Sequence, residues 1–314
     1  MTLLMLCSMI LGGVDDSLNE SGKIKSLAQV YSKNRSTFAH FICEFEYRRR
    51  SRASSVSDAI NGSITPPVDQ HRGRWIVDGD KEWYSLIPLP KPDSIPPEGG
   101  VCVLDNDNHV LLSEDIAVTY SKKHHVVNVF DNRDRGVGIR VSPFNVDLMG
   151  PNEFSNPARY LNDCLSGRFT GHYLGEQVIQ GINCLVVKVD TPIGVVTFGF
   201  DPTKNFALRY QADDRKDAGR IYEVFITDYQ AVGEAWFPFR TLVAHRPRNG
   251  AVEVSEIKVT SLDTDNAIKN EEFKFDVDAN TAIVVIGMPY QRVTKQSESI
   301  SLDEFRKVLS KTSR

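Results

Sequence analysis

The order of apolar and polar positions divides the chain into a helical start, a long run of strands and a polar tail. Between residues 20 and 36, Ile24, Leu27, Ala28 and Tyr31 recur at the spacing of one helix face. From residue 38 the period drops to two. In FAHFICEFEYR, Phe41, Cys43, Phe45 and Tyr47 fall on one side, with Glu44 and Glu46 on the other. RWIVDGDKEWYSLI predicts two strands joined at Asp78-Gly79, a dipeptide suited to a hairpin turn. Further strands are predicted near 101–104, 109–112, 116–120 and 125–130. NPARYLNDCLSG, residues 156–167, reads as a short helix capped by Asn156, with Pro157 in its first turn and Gly167 as its stop. Ala158, Leu161, Cys164 and Leu165 line one side of it.

Beyond that helix the strand signal is nearly continuous, near 172–179, 182–190, 194–200, 205–211, 220–230, 236–246, 251–262 and 272–277. In GEAWFPFRTLV, Gly233 closes a turn and Trp236-Phe237-Pro238 starts a strand. Trp236 and Arg240 take one face, and Phe237, Phe239 and Val243 the other. In the strand at 251–262, Val252 and Val254 hold one parity but Ile257 and Val259 the other, which predicts a bulge or sharp bend near Ser255-Glu256. Short turns and the lack of βαβ alternation predict an antiparallel meander, mainly β with a few helices, an α+β fold. A single domain is expected over 20–290, with Ser- and Pro-rich loop insertions at 51–72 and 88–100. In the tail at 291–314, Ser301 with Glu304 forms a capping box. Leu302, Phe305, Val308 and Leu309 make the stripe of a helix that either docks on the domain or binds a partner.

Several strands carry apolar groups on both parities. Val196, Phe198 and Phe200 share one face, with Thr197 and Gly199 on the other. Tyr222, Val224 and Ile226 oppose Glu223, Phe225 and Thr227. A sheet with one wet face alternates more cleanly. Two explanations stand side by side: a filled two-layer core, or an enclosed apolar cavity.

Composition narrows the class. Hydrophobic residues make up 41% and charged residues 25%, ordinary for a soluble globular chain of 314 residues. A net charge of -4 supplies no general field for nucleic acid. The exception is local: Tyr47 to Arg52, with Arg72 and Arg74, is either a solvated strand end or a patch for anionic lipid or an acidic partner. MTLLMLCSMILGGV, residues 1–14, is apolar throughout but shorter than the roughly 20 residues of a bilayer span. It resembles the apolar core of a secretory signal with Gly12-Gly13 near its end, though a basic start is missing. A buried N-terminal element is the alternative. Leu6 is too large to precede a lipidated Cys7. Without the leader, Cys43, Cys102, Cys164 and Cys184 remain. Lacking CxxC spacing, they read as disulfide partners or as small core residues.

Chemistry-bearing motifs are absent: no HExxH, no Walker A loop and no GxSxG. Gly136-Val137-Gly138 lacks a third glycine, and Asp105 to His109 lacks the glycine and glutamate of a calcium loop. His124 and His125 are adjacent and would point to opposite sides of a strand. His172 and His245 would need the fold to bring them a carboxylate such as Asp228. The expectation is a chain that is not an enzyme and holds no cofactor and no metal.

A helix at 20–36 leads into the aromatic strand 38–47. Later come G-x-x-C-L-V-V-K-V at Gly181 to Val189, F-x-F-D-P at Phe198 to Pro202, and Asn205 to Arg209. W-F-P at Trp236 to Pro238, the strand Glu253 to Val259, and Asn266-Ala267-Ile268 through Phe273-Lys274-Phe275 follow. In this order the pieces resemble the Lol-type outer-membrane lipoprotein carriers and their lipoprotein-sorting relatives. The resemblance implies a strongly curved, half-open antiparallel β-barrel whose concave face is apolar and covered by helices. It implies an exported carrier or binding module, periplasmic or secreted, for a lipid or lipid-modified protein, with an acyl chain or lipoprotein as ligand and no covalent chemistry. The candidate cavity residues are Phe41, Phe45, Trp75, Trp83, Phe198, Phe200, Trp236 and Phe239. The loops at 51–72 and 88–100, and TAIVVIGMPYQ in place of a G-T-x-V-x-D close, depart from the family pattern. The alternatives are an envelope structural or interaction protein with a self-filled barrel and an envelope protein as partner, and a hydrolase on the same scaffold.

Overall fold

The computed structural model describes residues 19–62, 69–89, 108–131, 140–142, 145–147, 157–215, 220–247, 252–288 and 290–312. In chain order they form α1 (Glu20–Ser36), β1 (His40–Ala53), α2 (Val56–Ile60), β2 (Asp69–Asp78), β3 (Lys81–Pro88), β4 (Asn108–Leu112), β5 (Ile116–Ser121) and β6 (Val126–Asp131). Next come β7 (Arg140–Ser142), β8 (Asn145–Asp147), α3 (Pro157–Leu165), β9 (Thr170–Ile179), β10 (Ile182–Thr191), β11 (Gly194–Asp201) and β12 (Ala207–Arg215). The chain continues through β13 (Arg220–Val232), β14 (Ala235–Pro247), β15 (Val252–Asp263), β16 (Lys274–Val277), β17 (Ala282–Val285), β18 (Tyr290–Val293), β19 (Glu298–Ser301) and α4 (Leu302–Thr312).

Fifteen of these strands make one curved, open sheet in the order β18-β17-β6-β5-β4-β3-β2-β1-β15-β14-β13-β12-β11-β10-β9. Two antiparallel meanders, β1 to β6 and β9 to β15, meet where β1 pairs with β15. One pair is parallel: β17 runs beside β6, with Ala282 opposite Val126. The expected β-rich class and meander are therefore present. TAIVVIGMPYQ is itself strand-forming, supplying β17 and the start of β18.

Residues directly opposite each other on paired strands share a face. Phe45 faces Gly73 and Val259, Tyr47 faces Ile257, and Ile257 faces Thr241. Val243 faces Val224, Val224 faces Gln211, and Gln211 faces Phe198. These positions trace one continuous face across both meanders. It carries α1 and α3 and is called the inner face below.

The opposite, outer face is apolar for a different reason. Ile76, Leu111, Val118, Val127 and Val129 lie there under a second layer made by the β16–β19 ribbon and α4, through Phe273, Phe275, Leu302 and Phe305. Farther along, α2 covers Phe225, Leu242, Ala244 and Val254. Apolar groups on both parities thus follow from layers on both sides of the sheet.

The local signals explain the helices. Asn19 caps α1 by accepting a bond from the Gly22 amide at 2.8 Å, and Ile24, Leu27, Ala28 and Tyr31 are its buried stripe. α3 stops at Gly167, whose φ of +77° suits glycine, while the Arg168 amide bonds the Asp163 carbonyl at 2.9 Å. Its buried side is Pro157, Tyr160 and Leu161; Leu165 is exposed, because the helix rolls its tyrosine rather than its last leucine onto the sheet. α4 carries the capping box, with the Ser301 amide donating to Glu304 at 2.8 Å.

Other sequence expectations are corrected. The irregularity near Ser255-Glu256 lies in the partner strand: β15 pairs with β14 without interruption, and β1 slips register between Arg48 and Ser51. Val252 and Val254 simply serve the outer face while Ile257 and Val259 serve the inner one. The loop expected from residue 51 begins later, since β1 runs to Ala53 and α2 follows. His124 and His125 sit in the turn between β5 and β6, not in a strand, and His125 has φ 49°. The strand at 101–104, Cys102, Asp105 to Asp107 and Gly136 to Gly138 lie outside the described residues.

Two predictions test this architecture. A β-carbon on Gly73 would lie 2.1 Å from Cζ of Phe45, so the phenylalanine ring occupies the space a side chain would need. Gly73→Ala should cost about 1–3 kcal/mol in chemical denaturation. Phe45→Leu combined with it should cost less than the two losses added together. The second concerns α4, which docks through Arg306, whose Nε and Nη2 bond Asp115 at 3.0–3.1 Å and whose Nη2 reaches Ser113 at 2.9 Å. Partial burial pushes the Asp115 carboxyl up, but hydrogen bonds from Arg306 and Ser113 outweigh it and hold the group below its ordinary range. That contribution is complete above about pH 4, the ordinary value, and is lost as pH falls through the lowered one. Hydrogen exchange of the α4 amides should accelerate below about pH 4 relative to the sheet. Arg306→Gln should weaken that pH dependence and leave the part due to Glu304, whose carboxyl the Ser301 amide and hydroxyl hold below its ordinary range.

Candidate functional site

The inner face gathers an aromatic band. Phe41 meets Trp75 edge-on at 5.0 Å and Phe237 at 5.3 Å, and Phe38 meets Phe237 at 5.2 Å. Phe45 lies against Tyr84 at 6.1 Å, over Gly73. Under the helices, Phe198 and Phe200 stand 6.3 Å apart; Tyr160 of α3 packs on the first at 5.5 Å and Tyr31 of α1 on the second at 5.7 Å. These edge and tilted geometries are the favourable ones for aromatic rings.

Five of the eight candidate side chains, Phe41, Phe45, Trp75, Phe198 and Phe200, belong to this band and are buried. Half-buried Phe239 extends it at 6.3 Å from Phe237. Trp75 is also fixed by its indole N–H, which donates to Glu82 at 3.0 Å. Trp83 points the other way: it lies opposite Leu111, donates to the Lys274 carbonyl at 3.1 Å and sits beneath Arg74 on the outer face. Strand alternation separates the two tryptophans, and the register decides which of them reaches the inner face.

Trp236 stands at a corner of its own. The Lys204 ammonium lies 3.7 Å from its ring centroid, and Asn205 donates to the Glu234 carbonyl, so the turn after β11 is clamped to the β13–β14 hairpin. Asp201 organises that turn, accepting from the amide and hydroxyl of Thr203 at 3.0 and 2.6 Å. Trp236 and Pro238 then face Tyr31, Asn34 and Phe38 at the C-terminal end of α1. Two slips in the β13–β14 pairing, between Ile226 and Tyr229, re-aim the strand after this corner. Arg240 reaches Glu256 and the Ile60 carbonyl, away from α1.

Burial here disfavours the charged form of each ionisable group. Burial raises the phenols of Tyr31 and Tyr229, and Tyr229 donates to the Leu208 carbonyl. Burial also lowers the Arg35 guanidinium. Among the described residues no group of three His, Cys, Asp or Glu could hold a metal ion. His172 pairs with Asp190 at 2.9 Å rather than with Asp228; His245 packs on Tyr222 at 4.6 Å, while Asp228 lies opposite Arg240 farther along β13. The three groups are not brought together. No described helix is long and apolar enough to cross a membrane.

Sequence reading missed Tyr31, Phe38, Tyr160 and Phe237 as parts of the band. Tyr31 was on a recognised helix stripe, and only the pairing of that stripe with β11 reveals its role. A curved, open and largely antiparallel sheet with helices on its inner face is the architecture to compare with known structures. No family model and no curated protein sequence matches it. Among solved structures it is similar to a DUF1329 family protein from Desulfovibrio piger, at 12% identity over 80% of this chain and 96% of that one, TM-score 0.49. It is also similar to a domain named for outer membrane lipoprotein sorting from Vibrio parahaemolyticus, at 10% identity over 79% and 96%, TM-score 0.49. A LolA superfamily protein from Nitrosomonas europaea aligns at 11% identity over 80% and 96%, TM-score 0.45.

Cys43, Cys164 and Cys184 are free thiols, and burial raises all three, Cys164 and Cys184 to about 11. At pH 8 little thiolate forms, so iodoacetamide should leave Cys43 and Cys184 unmodified in the folded protein and label Cys164 slowly. All three should react once the protein is denatured. Rapid native labelling of Cys43, read by peptide mass spectrometry, would contradict this packing.

Proposed function

We propose that the chain is an exported binding module that receives an acyl chain, free or attached to a lipid-modified protein, against the aromatic inner face, without covalent chemistry. The observation that carries this reading is the aromatic band itself. It runs across both meanders from Phe41 to Phe198 and is roofed over β9 to β12 by two helices held mainly through apolar stripes. In this proposal Phe41, Phe45, Trp75, Phe198 and Phe200 line the ligand path. Trp236 and Phe239 mark its mouth beside the C-terminal end of α1, and Trp83 serves the outer layer. Export is part of the proposal and draws support from the signal-like residues 1–14.

A second reading has its own support. The band residues are nearly inaccessible and touch one another, and Phe45 fills the space over Gly73. A permanently self-filled face would suit an envelope interaction protein.

One experiment separates the two. Purified protein is extracted with organic solvent for mass spectrometry, then delipidated and titrated with a fluorescent fatty acid and unlabelled competitors of increasing chain length. The carrier reading expects co-purified lipid and an affinity rising about fourfold per added methylene, from roughly 0.8 kcal/mol each. Tyr31→Ala should change the affinity while the sheet stays folded. Neither extracted lipid nor probe binding would overturn the reading in favour of a self-filled face.

A further inference from the structure

A groove of about 270 Å³ lies at the end of the aromatic band, between α3 and the β10–β11 turn. One wall is α3 with its exit: Arg159, Tyr160, Asp163, Arg168 and Phe169. The other is the turn Thr191-Pro192-Ile193. Both walls are rigid for local reasons. Gly167 stops the helix and returns the chain toward β9. The turn is closed by Thr191, whose hydroxyl donates to the Gly194 carbonyl at 3.0 Å and accepts the Gly194 amide at 3.2 Å.

The chemistry of the groove is amphipathic. Its floor is aromatic, with Tyr160 and Phe169 at 5.9 Å, and Ile193 at the turn tip remains 44% exposed. An isoleucine left in water beside two rings is apolar surface that a ligand could cover. Among the described residues the rim carries the Arg159 and Arg168 guanidinium groups and the Asp163 carboxylate. Arg168 lies over Phe169 at 5.5 Å and reaches Asp163 at 3.6 Å, yet its side chain is 61% exposed, so it retains donors toward solvent. A net positive rim above an apolar floor is complementary to an anionic head on an apolar body. The volume is below the roughly 300–1,000 Å³ of typical drug-sized sites, which favours one short chain over a whole phospholipid.

We propose that this groove is a binding site for a medium-chain fatty carboxylate, its chain on Tyr160, Phe169 and Ile193 and its carboxylate between Arg159 and Arg168. The site goes beyond the inner-face reading: Tyr160 is the one side chain shared with the aromatic band, where it packs on Phe198, and the other groove residues named here lie outside it.

Calorimetry on the full chain with decanoate, decanol and decyltrimethylammonium, below their micelle concentrations, tests the proposal. Decanoate should bind at least tenfold more tightly than decanol, and the cation should not bind. Arg168→Gln and Arg159→Gln should each weaken decanoate about tenfold, as expected for one charge-assisted contact, and leave decanol unchanged. Ile193→Asp, at an exposed turn tip, should abolish the component of decanoate binding that Arg168→Gln weakens, without moving the thermal melt. The same variant should leave binding of the fluorescent fatty acid to the inner face intact. Equal binding of decanoate and decanol would overturn the proposal. So would an Arg168-dependent component that survives Ile193→Asp but falls with Tyr31→Ala, which would place that ligand on the inner face instead.

Discussion

Strand β1 pairs along its length with β2 on one side and with β15 on the other, and this double ladder makes two meanders one sheet. Its inner-face residues Phe41, Cys43, Phe45 and Tyr47 are therefore held by neighbours from both halves of the chain. A one-residue slip would turn all four to the outer face and bring Glu44 and Glu46 inward, at prohibitive desolvation cost. The register slips beside β1 occur only against β15, where Thr260 of β15 is skipped between Glu44 and Phe45 and β1 carries an extra residue between Arg48 and Ser51, while pairing to β2 continues unbroken. The strand thus bends on one side and stays in register on the other. That is how a sheet of this width can curve without losing its aromatic alignment.

The two faces solve their burial problem unequally. The outer face is closed by chain that has its own strands and polar locks: β16 and β19 pair, α4 is boxed at its start, and Arg306 is tied to Asp115, Asp303 and Ser113. The inner face is closed over β9 to β12 by α1 and α3, which bring mainly apolar stripes. Ile24, Leu27 and Tyr31 each contribute roughly 1.5–3 kcal/mol by burial, a sum comparable with an acyl chain of several methylenes. A ligand can offset the loss of non-directional contacts, because it supplies more of the same kind. It cannot replace the bidentate geometry that holds α4. In the proposed carrier, the face that exchanges its cover for a ligand would be the inner one.

Much of this organisation was legible in the chain because it is local. The stripe of α1, the Asp78-Gly79 turn, the Gly167 stop and the Ser301–Glu304 box are short-range signals, and each gives the element it predicts. Alternation likewise placed Phe41, Phe45, Phe198 and Phe200 on consistent sides. What failed was whatever depended on which strand lies beside which. Trp75 and Trp83 look alike in sequence, and only the β2–β3 register sends them to opposite faces. The parity change at Val254 and Ile257 looked like a bulge because the outer layer over that strand comes from α2, a short helix hidden in a polar stretch. The groove beside α3 left no sequence signal, since its walls lie in a helix and in a turn more than twenty residues away. His172, His245 and Asp228 show the converse, residues with compatible chemistry that topology keeps apart.

An open sheet also has edges, and the β9 edge limits how the inner cover can move. None of the residues of β9 is buried, and the strand bulges where Leu174 is skipped between Tyr173 and Gly175, whose φ is +77°. A bulged, kinked edge resists pairing with another chain. The start of α1 guards the same place: Lys23 lies over Tyr173 at 5.0 Å, and Ile24 presses with Cys164 onto Gly171. Lifting that end would uncover the edge and unseat α3 together. The other end of α1 is different, because Tyr31, Asn34 and Arg35 border a small void next to Trp236 and Pro238. Space and imperfect packing coincide there, whereas the N-terminal end is capped and wedged. In the proposed carrier, a chain would therefore reach the band at least cost by a tilt of α1 about its first turns, opening at Trp236 and leaving the β9 edge covered.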